Sequence, residues 1–264
     1  MPTPIGAKLG KTVVFIGVFA ILLSVPRPSL AQAQGERPIL NVLLAGNSQL
    51  WTNNIGDVLA GIAAADPMAP IIVPTMALAG TLQGHWEGDA RTFLESDVEW
   101  DYVILQELAL LPGNVEPPYV NIWPAPEREF EIGSTEIFHD HVRLFAEVAE
   151  GKGAKVILFP SPPRQLARFD SDQLPVWKEV MDAHVEIGRE LGADVAPIQE
   201  AFEETRQRLI GLDTYMYDMS HTSPAGAYLE GLVLYSMIAD RATRPGRPRS
   251  SMVGRSGTYR VRTR

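Results

Sequence analysis

The sequence predicts an α/β domain in which helices cover both faces of a parallel, five-stranded sheet. Two observations lead to this fold class. Short apolar runs of strand length alternate with longer segments of helical periodicity, an order typical of parallel sheets covered by helices. The chain also lacks an internal repeat, and its 264 residues, 45% of them hydrophobic, suffice for one domain, or two small ones, with a sizeable core.

Five apolar segments are predicted as strands, at residues 39–45, 71–79, 101–105, 155–159 and 194–198. Helices are predicted from their periodicity at residues 53–65, 87–95, 135–150, 172–191, 200–210 and 224–242. Ser223 and Pro224 mark the start of the last helix, because serine caps helix N-termini and proline suits the first turn. This order predicts a three-layer, flavodoxin-like doubly wound domain with its ligand crevice at the carboxyl ends of the strands.

The first 33 residues have the pattern of a signal peptide. Two lysines precede an unbroken apolar run of 11 residues, Val13 to Leu23, and a small-x-small cleavage site follows at residues 31–33. The run is too short to span a bilayer comfortably, although an uncleaved membrane anchor is the alternative. In either case we expect an exported domain, periplasmic or secreted, over residues 34–242. After cleavage we expect no stable membrane insertion.

Charge divides the chain into an acidic body and a basic end. The formal net charge is −9, but residues 1–33 hold three bases and residues 241–264 hold eight arginines, with no acid in either segment. The other 12 bases therefore face all 32 acids in residues 34–240, a net charge of −20. So acidic a body argues against nucleic acid as a partner. The Arg-rich tail, residues 243–264, is predicted to be disordered, and it either solubilises the chain or touches an anionic polymer.

Motifs for cofactors and metals are missing from the sequence. The absence of cysteine excludes disulfides, thiolate catalysis and cysteine-ligated metals. There is no dinucleotide fingerprint, Gly-x-Ser-x-Gly elbow or His-Glu-x-x-His motif. His139 and His141 lie two residues apart and so face different sides of a helix, while His184 is predicted at the surface of a polar helix. We therefore expect no metal and no organic cofactor.

A serine follows the first predicted strand, in the segment Ala45-Gly46-Asn47-Ser48. Ser48 thus lies at the carboxyl end of a strand and just before a helix, where a doubly wound fold presents its crevice. A helix start also leaves backbone N–H groups unpaired, and such groups stabilise an oxyanion. Ser48 is therefore a candidate nucleophile and its N–H a candidate oxyanion donor. The alternative is a turn serine that only caps a helix.

An aspartate and a histidine lie three residues apart just before the last helix. In a loop, the carboxylate of Asp218 can accept a hydrogen bond from the Nδ1–H of His221. The other ring nitrogen is then free to take a proton from a serine. A purely structural hydrogen bond between the two side chains is the alternative.

Together these segments resemble the SGNH/GDSL hydrolase family. Gly46-Asn47-Ser48 is similar to the family's first block, where Gly-Asp-Ser is usual, and Asp218-x-x-His221 is similar to its last block. The residues after the last block also fit the family: Pro224, Gly226, Tyr228 and Leu229. The resemblance spans about residues 40–240. It implies a triad of Ser48, His221 and Asp218, and an oxyanion hole that includes Gly80 after the second strand.

One block departs from the family pattern. After the third strand the family usually has Gly-x-Asn-Asp, with the asparagine as an oxyanion donor, but here the strand runs into Gln106-Glu107. The sequence looks closer to a bacterial subgroup whose third block reads Leu-Gln-Glu and whose first block is followed by residues such as Thr52, Asn53 and Asn54. Gln106 then either donates its amide to the oxyanion or bonds to the backbone. His85, in the segment after Gly80, either shapes the pocket or begins a helix.

The predicted function is that of an exported serine esterase that hydrolyses a short acyl ester, such as an acetyl group on a carbohydrate or cell-envelope polymer. A proline-rich stretch, residues 112–126, is predicted as a functional loop in which Tyr119 and Trp123 either stack on a sugar ring or form a packed lid. The alternatives are a lipid esterase or acyltransferase, and a non-catalytic binding protein for carbohydrate or another ligand on the same scaffold.

Overall fold

The computed structural model describes residues 37–107, 135–162, 174–218 and 220–243, with the side chains of residues 174–179 and 240–243 excepted. The predicted signal peptide, the loop at residues 112–126 and the Arg-rich tail from residue 244 onward lie outside the described residues.

A five-stranded parallel sheet forms the centre of the fold, as the sequence predicts. Its strands are β1 (Ile39–Gly46), β2 (Ile71–Leu78), β3 (Tyr102–Leu105), β4 (Lys155–Leu158) and β5 (Asp194–Val195). Their order across the sheet is β2-β1-β3-β4-β5, and every neighbouring pair is parallel. This is the doubly wound order of flavodoxin-like folds. The outer strand β2 contains Pro74, a residue that sheets tolerate at their edges.

Helices follow and separate the strands. Their bounds are α1 (Ser48–Trp51), α2 (Ile55–Ala65), α3 (Leu82–Trp86), α4 (Asp89–Glu95), α5 (Thr135–Gly151), α6 (Leu174–Leu191), α7 (Ile198–Arg208) and α8 (Pro224–Thr243). Within the described part of the chain, no helix combines the length and the apolar character that crossing a membrane requires.

Alternate residues of each central strand serve two separate cores. In β1, Leu43 and Ala45 pack with α3 to α6, whereas Val42 and Leu44 pack with α1, α2, α7 and α8. The same alternation holds in β3 and β4, because successive side chains of a strand point to opposite faces. All four of these β1 side chains are fully buried. The sheet is therefore covered on both sides, which gives the predicted three layers.

Several boundaries differ from the prediction for local reasons. The fifth strand has two residues instead of the predicted five, because Pro197 follows and helix α7 begins at Ile198. The helix predicted at 87–95 is present as α4 and begins two residues later, after its N-cap Gly88, while the short helix α3 that precedes it was not predicted. At the carboxyl end of α5, Gly153 takes a positive φ of 77° and ends the helix.

His184 lies in the core, and its predicted surface position is wrong. Only 2% of the residue is exposed, and its ring packs on Phe138 with centroids 4.6 Å apart. Its Nδ1–H donates to the Val180 carbonyl at 2.7 Å, while Nε2 is buried without a partner among the described residues. Burial therefore lowers the pKa of His184 to about 4. The polar sequence of α6 hid this position, since an imidazole counts as polar by composition yet packs here as an aromatic ring.

Replacing His184 with Phe should make the free energy of unfolding less dependent on pH. The unfolded state takes up a proton near pH 6.5, whereas the folded state resists it down to about pH 4, so His184 removes stability as the pH falls through this window. The loss amounts to roughly 3 kcal/mol between pH 7.5 and pH 4. Urea unfolding of both proteins across this range measures it, and parallel stability curves would contradict the assignment.

Candidate active site

The predicted site residues meet at the carboxyl edge of the sheet, at its topological switch point. Strands β1 and β3 are neighbours at the centre of the sheet, and the connection from β1 leads to β2 on one side whereas that from β3 leads to β4 on the other. The chain passes from Gly46, the last residue of β1, through Asn47 to Ser48, the first residue of α1. Open α/β sheets form their ligand crevice at this place.

The turn at residues 46–48, which carries the candidate nucleophile and is called the nucleophile turn, is built by two features of its sequence. Asn47 caps α1, because its side-chain oxygen accepts the Gln49 N–H at 3.1 Å. Gly46 is required by packing, since a Cβ at this position would lie 2.5 Å from a Leu50 methyl carbon and 2.6 Å from Gln106 Oε1. Half-buried Ser48 therefore starts a helix at a fixed place, and its N–H donates to no protein atom in the described structure.

His221 bridges Asp218 and Ser48. Its Nε2 lies 2.7 Å from Ser48 Oγ, and its Nδ1 lies 2.6 Å from Asp218 Oδ2. An ionised carboxylate only accepts hydrogen bonds, so Nδ1 carries the proton and Nε2 is left to accept from the serine hydroxyl. The structure thus brings Asp218 and His221 to Ser48, which lies 170 and 173 positions earlier in the sequence, in the order that proton transfer from a serine needs.

The carboxylate of Asp218 is held ionised by its neighbours. Partial burial favours its neutral form, but the hydrogen bonds from His221 Nδ1 and from the backbone N–H groups of Ser220 and His221 outweigh burial and lower the pKa of Asp218. Both backbone bonds reach Oδ1 at 2.9 Å, while Oδ2 faces the imidazole. Each carboxylate oxygen therefore has a separate task, one in shaping the turn and one in orienting the ring.

A short antiparallel bridge supports this turn. Tyr215 pairs with Thr222, the His221 carbonyl accepts the Met216 N–H at 2.8 Å, and the Ser223 N–H donates to the Thr214 carbonyl at 3.0 Å. Asp218 and His221 consequently sit at the tip of a closed loop, which we call the histidine loop (residues 214–223). Ser223 then caps α8 as predicted, since its hydroxyl accepts the Gly226 N–H at 3.2 Å.

Gly80 faces the nucleophile turn from the end of β2. Asn47 Nδ2 donates to the Gly80 carbonyl at 3.2 Å, so the two predicted oxyanion donors belong to segments that are directly bonded. In the described structure the Gly80 N–H, like that of Ser48, donates to no protein atom. A Cβ on Gly80 would meet nothing within 4 Å, which shows open space on this side of the backbone.

Neither a protein-family model nor a curated protein sequence matches this chain. Solved structures do match. The acetylxylan esterase Axe2 from Geobacillus stearothermophilus is 13% identical, with a TM-score of 0.58 over 79% of this chain and 98% of that protein. A catalytic mutant of Axe2, with alanine in place of a serine, gives a TM-score of 0.55 at 14% identity over 75% of this chain and 94% of that one. A lipase/acylhydrolase from Enterococcus faecalis is 16% identical, with a TM-score of 0.53 over 76% of this chain and 96% of that one.

The chain has the SGNH/GDSL hydrolase fold. Nearly the whole length of Axe2 and of the Enterococcus protein is covered, so the match includes the sheet and both helical layers. The resemblance stated from short sequence blocks is thereby confirmed at the level of the fold.

Gln106, at the position where the sequence departs from the SGNH pattern, does not have the free amide of an oxyanion donor. Its side chain is fully buried, and Oε1 accepts the Asn47 N–H at 2.8 Å. Its Nε2 donates to the Ser161 hydroxyl at 2.9 Å and to the Glu107 carbonyl. Both amide hydrogens are therefore occupied within the protein, as in the backbone-bonding alternative. The amide cannot reach an oxyanion without leaving these partners.

Two further residues behind the site were not identified as such from the sequence. His85 is 1% exposed, and its Nε2–H donates to the Gly46 carbonyl at 2.9 Å. Burial lowers the pKa of His85, which favours the neutral ring. Glu107 is 4% exposed and accepts the Leu82 N–H at 3.1 Å. Both side chains thus tie the ends of β1 and β3 to α3 behind Ser48.

The remaining two histidines, His139 and His141, lie in the helical layer. His139 Nε2 meets the Ala183 carbonyl at 2.9 Å, whereas His141 Nδ1 meets the Ile137 carbonyl at 2.7 Å. The His139 ring therefore bonds to α6, whereas the His141 ring bonds to its own helix, α5. Across the described ranges, no group of three or more histidine, aspartate or glutamate side chains is arranged to hold a metal ion.

Replacing Gln106 with Leu should lower the free energy of unfolding by about 2–5 kcal/mol. The substitution leaves the Asn47 N–H and the Ser161 hydroxyl buried without their partner, and each such loss costs about 1–3 kcal/mol. Denaturant unfolding of the purified domain measures the change. Gln199→Leu is the matched control, because Gln199 reaches Ser161 only through a 3.5 Å bond, and it should cost less than about 1 kcal/mol. Equal losses in the two variants would contradict a special role for Gln106.

Proposed function

We propose that this protein is a serine esterase in which Ser48 is the nucleophile, His221 the general base and Asp218 the residue that orients the base. The observation that carries the proposal is the continuous pair of hydrogen bonds, 2.6 Å from Asp218 to His221 and 2.7 Å from His221 to Ser48. A serine hydroxyl is a weak nucleophile unless a base removes its proton, and this pair supplies that base in the right tautomer.

The reaction follows from the positions of these atoms. His221 Nε2 takes the proton from Ser48 Oγ while Oγ bonds to the ester carbonyl carbon, and the carbonyl electrons move to its oxygen. The imidazolium then gives the proton to the leaving alcohol as the carbon–oxygen bond breaks, which leaves an acyl group on Ser48. Water, deprotonated by His221, releases the acid and restores the serine. Asp218 stabilises the charged imidazole throughout.

The N–H groups of Ser48 and Gly80 are the oxyanion donors in this proposal. Both are free in the described structure, and they flank the nucleophile from two directly bonded segments. Donors held in place before the reaction stabilise the developing charge without having to reorganise. Gln106 then contributes indirectly, because its hydrogen bond to the Asn47 N–H fixes the turn that presents the Ser48 N–H.

For the substrate, we propose a short acyl ester, such as acetate, on a carbohydrate or cell-envelope polymer. Two exposed aromatic side chains adjoin the triad and offer flat faces to a sugar ring: Trp51 is 52% exposed in the helix that Ser48 begins, and Tyr217 is 91% exposed next to Asp218. The acetylxylan esterase among the matching structures supports the same class. The pattern of the first 33 residues supports an exported, periplasmic or secreted enzyme.

Replacing Ser48 with Ala should abolish hydrolysis of p-nitrophenyl acetate, with a loss of kcat of at least about a thousandfold, because no other group can carry the acyl intermediate. Release of p-nitrophenol by the mature domain measures this, and labelling by a fluorophosphonate should disappear in parallel. Ser220→Ala, in the histidine loop, is the control, since only the backbone of Ser220 contacts the site.

A protein without Ser48-dependent turnover on p-nitrophenyl acetate, on acetylated xylo-oligosaccharides and on lipid esters would be a binding protein. Turnover confined to lipid esters would retain the serine mechanism and replace the carbohydrate substrate by a lipid.

Replacing Asp218 with Asn should lower kcat/KM by about 10³- to 10⁴-fold, because an amide does not hold the imidazole in the required tautomer. In the unmodified protein the hydrogen bonds that lower the pKa of Asp218 favour its charged carboxylate, which accepts the Nδ1–H of His221. Steady-state kinetics of ester hydrolysis by both proteins measure the loss, and an unchanged kcat/KM in the variant would contradict the role of Asp218.

Asp213→Asn is the matched control for Asp218→Asn. Asp213 lies just outside the histidine loop, and its Oδ1 accepts the Tyr215 N–H at 3.0 Å, a bond that asparagine can keep. This variant should retain the activity of the unmodified protein.

A further inference from the structure

The two halves of the site come from distant parts of the chain. Ser48 belongs to the rigid edge of the sheet, whereas His221 lies 173 residues later in the histidine loop. The hydrogen bonds inside the loop, such as that between Met216 and His221, fix the shape of the loop and the pairing of Asp218 with His221. They do not fix the distance between the loop and the nucleophile.

Two amide side chains from the nucleophile segment reach across to the histidine loop. Asn53 Nδ2 donates to the Thr222 carbonyl at 2.6 Å, and Gln49 Nε2 donates to the Ser220 carbonyl at 3.4 Å. The two carbonyls belong to the residues on either side of His221. The Asn53 contact is the shorter and therefore the stronger of the two.

Thr222 is also held from the opposite direction. Its hydroxyl donates to Glu230 Oε2 of α8 at 3.2 Å, and both residues are buried. Burial raises the pKa of Glu230 well above its ordinary value. The Glu230 contact attaches the histidine loop to α8, whereas the Asn53 contact attaches it to the segment that carries Ser48.

We propose that Asn53 is a positioning residue that holds His221 at hydrogen-bonding distance from Ser48, with Gln49 as a weaker second contact. This inference rests on the proposed function. Reactions of this kind depend steeply on geometry, and a displacement of about 1 Å can cost about a hundredfold in rate. A direct bond between the two halves of the site limits such displacements.

The two neighbours of Asn53 each stabilise the end of a helix, whereas Asn53 contacts the histidine loop. Thr52 closes α1, since its hydroxyl donates to the Ser48 carbonyl at 2.6 Å. Asn54 takes the left-handed conformation with a φ of 49° and caps α2 by accepting the Asp57 N–H. Asn53 caps neither helix in the described structure, and its amide is directed to the histidine loop. The sequence Thr52-Asn53-Asn54 is thereby explained residue by residue.

The test compares Asn53→Ala and Asn53→Asp with the unmodified protein. Both remove the donor, and the aspartate keeps the shape while placing a carboxylate against the Thr222 carbonyl. We expect kcat for p-nitrophenyl acetate, per site titrated with a fluorophosphonate, to fall about 10- to 100-fold, while KM changes less than about twofold. Asn53→Gln, which restores a donor on a longer arm, should recover part of the loss.

Asn41→Ala is the matched control. Asn41 Nδ2 also donates to a backbone carbonyl, that of Glu99, at 2.9 Å, but at the amino half of β1, away from the site. It should retain kcat even if the melting temperature falls. If Asn53→Ala lowers only the melting temperature, and kcat per titrated site stays at the unmodified level, the inference is overturned. If Asn53→Ala does not fold, the same comparison with Asn53→Asp decides. Absence of Ser48-dependent turnover in the unmodified protein would instead overturn the proposed function, and the inference with it.

Discussion

The hydrogen bond from the Asn47 N–H to Gln106 Oε1 is the contact on which the rest of the site depends. It crosses from β1 to the end of β3, is fully buried, and is possible only because Gly46 has no side chain. With the turn held in this way, α1 starts at Ser48 and leaves the Ser48 N–H unpaired beside Gly80. A buried amide with all its partners in place is rigid, because any movement would leave polar groups unpaired. Ser48 thus inherits the rigidity of the sheet.

The pair formed by Asp218 and His221 is held in a different way. Asp218 and His221 have side chains that are about one-third exposed and stand on a loop instead of a strand. Their geometry comes from hydrogen bonds to backbone groups of the same loop, which orient the imidazole but leave the loop as a unit dependent on contacts with its surroundings. The site therefore combines Ser48, which the sheet holds in place, with the histidine loop, which depends on its surroundings. The distance between the two is set by a few polar contacts that connect them.

The sequence was sufficient for the features that are local. Apolar runs identified all five strands, and the three triad candidates stood out because each lies beside a strand end or a helix cap. The sequence could not reveal contacts between residues that lie far apart along the chain. Nothing near Gln106 reveals that its partners are Asn47 and Ser161, and Asn53 meets a carbonyl 169 positions away. His184 was misplaced for the same reason, because the burial of a helix face depends on what packs against it.

The placement of Pro74 has a consequence for how the protein avoids self-association. Among the described residues, β2 is an outer strand that pairs with β1 alone, and its apolar residues Ile71 and Val73 are 44% and 43% exposed. Such an edge invites strand-by-strand growth with another copy. Proline has no N–H to donate, and Pro74 therefore interrupts the ladder that an incoming strand would need. At the opposite edge, a strand of two residues is too short a template. In the described part of the chain, the outermost residues of the sheet thus disfavour the addition of further strands at both edges, which guards against aggregation.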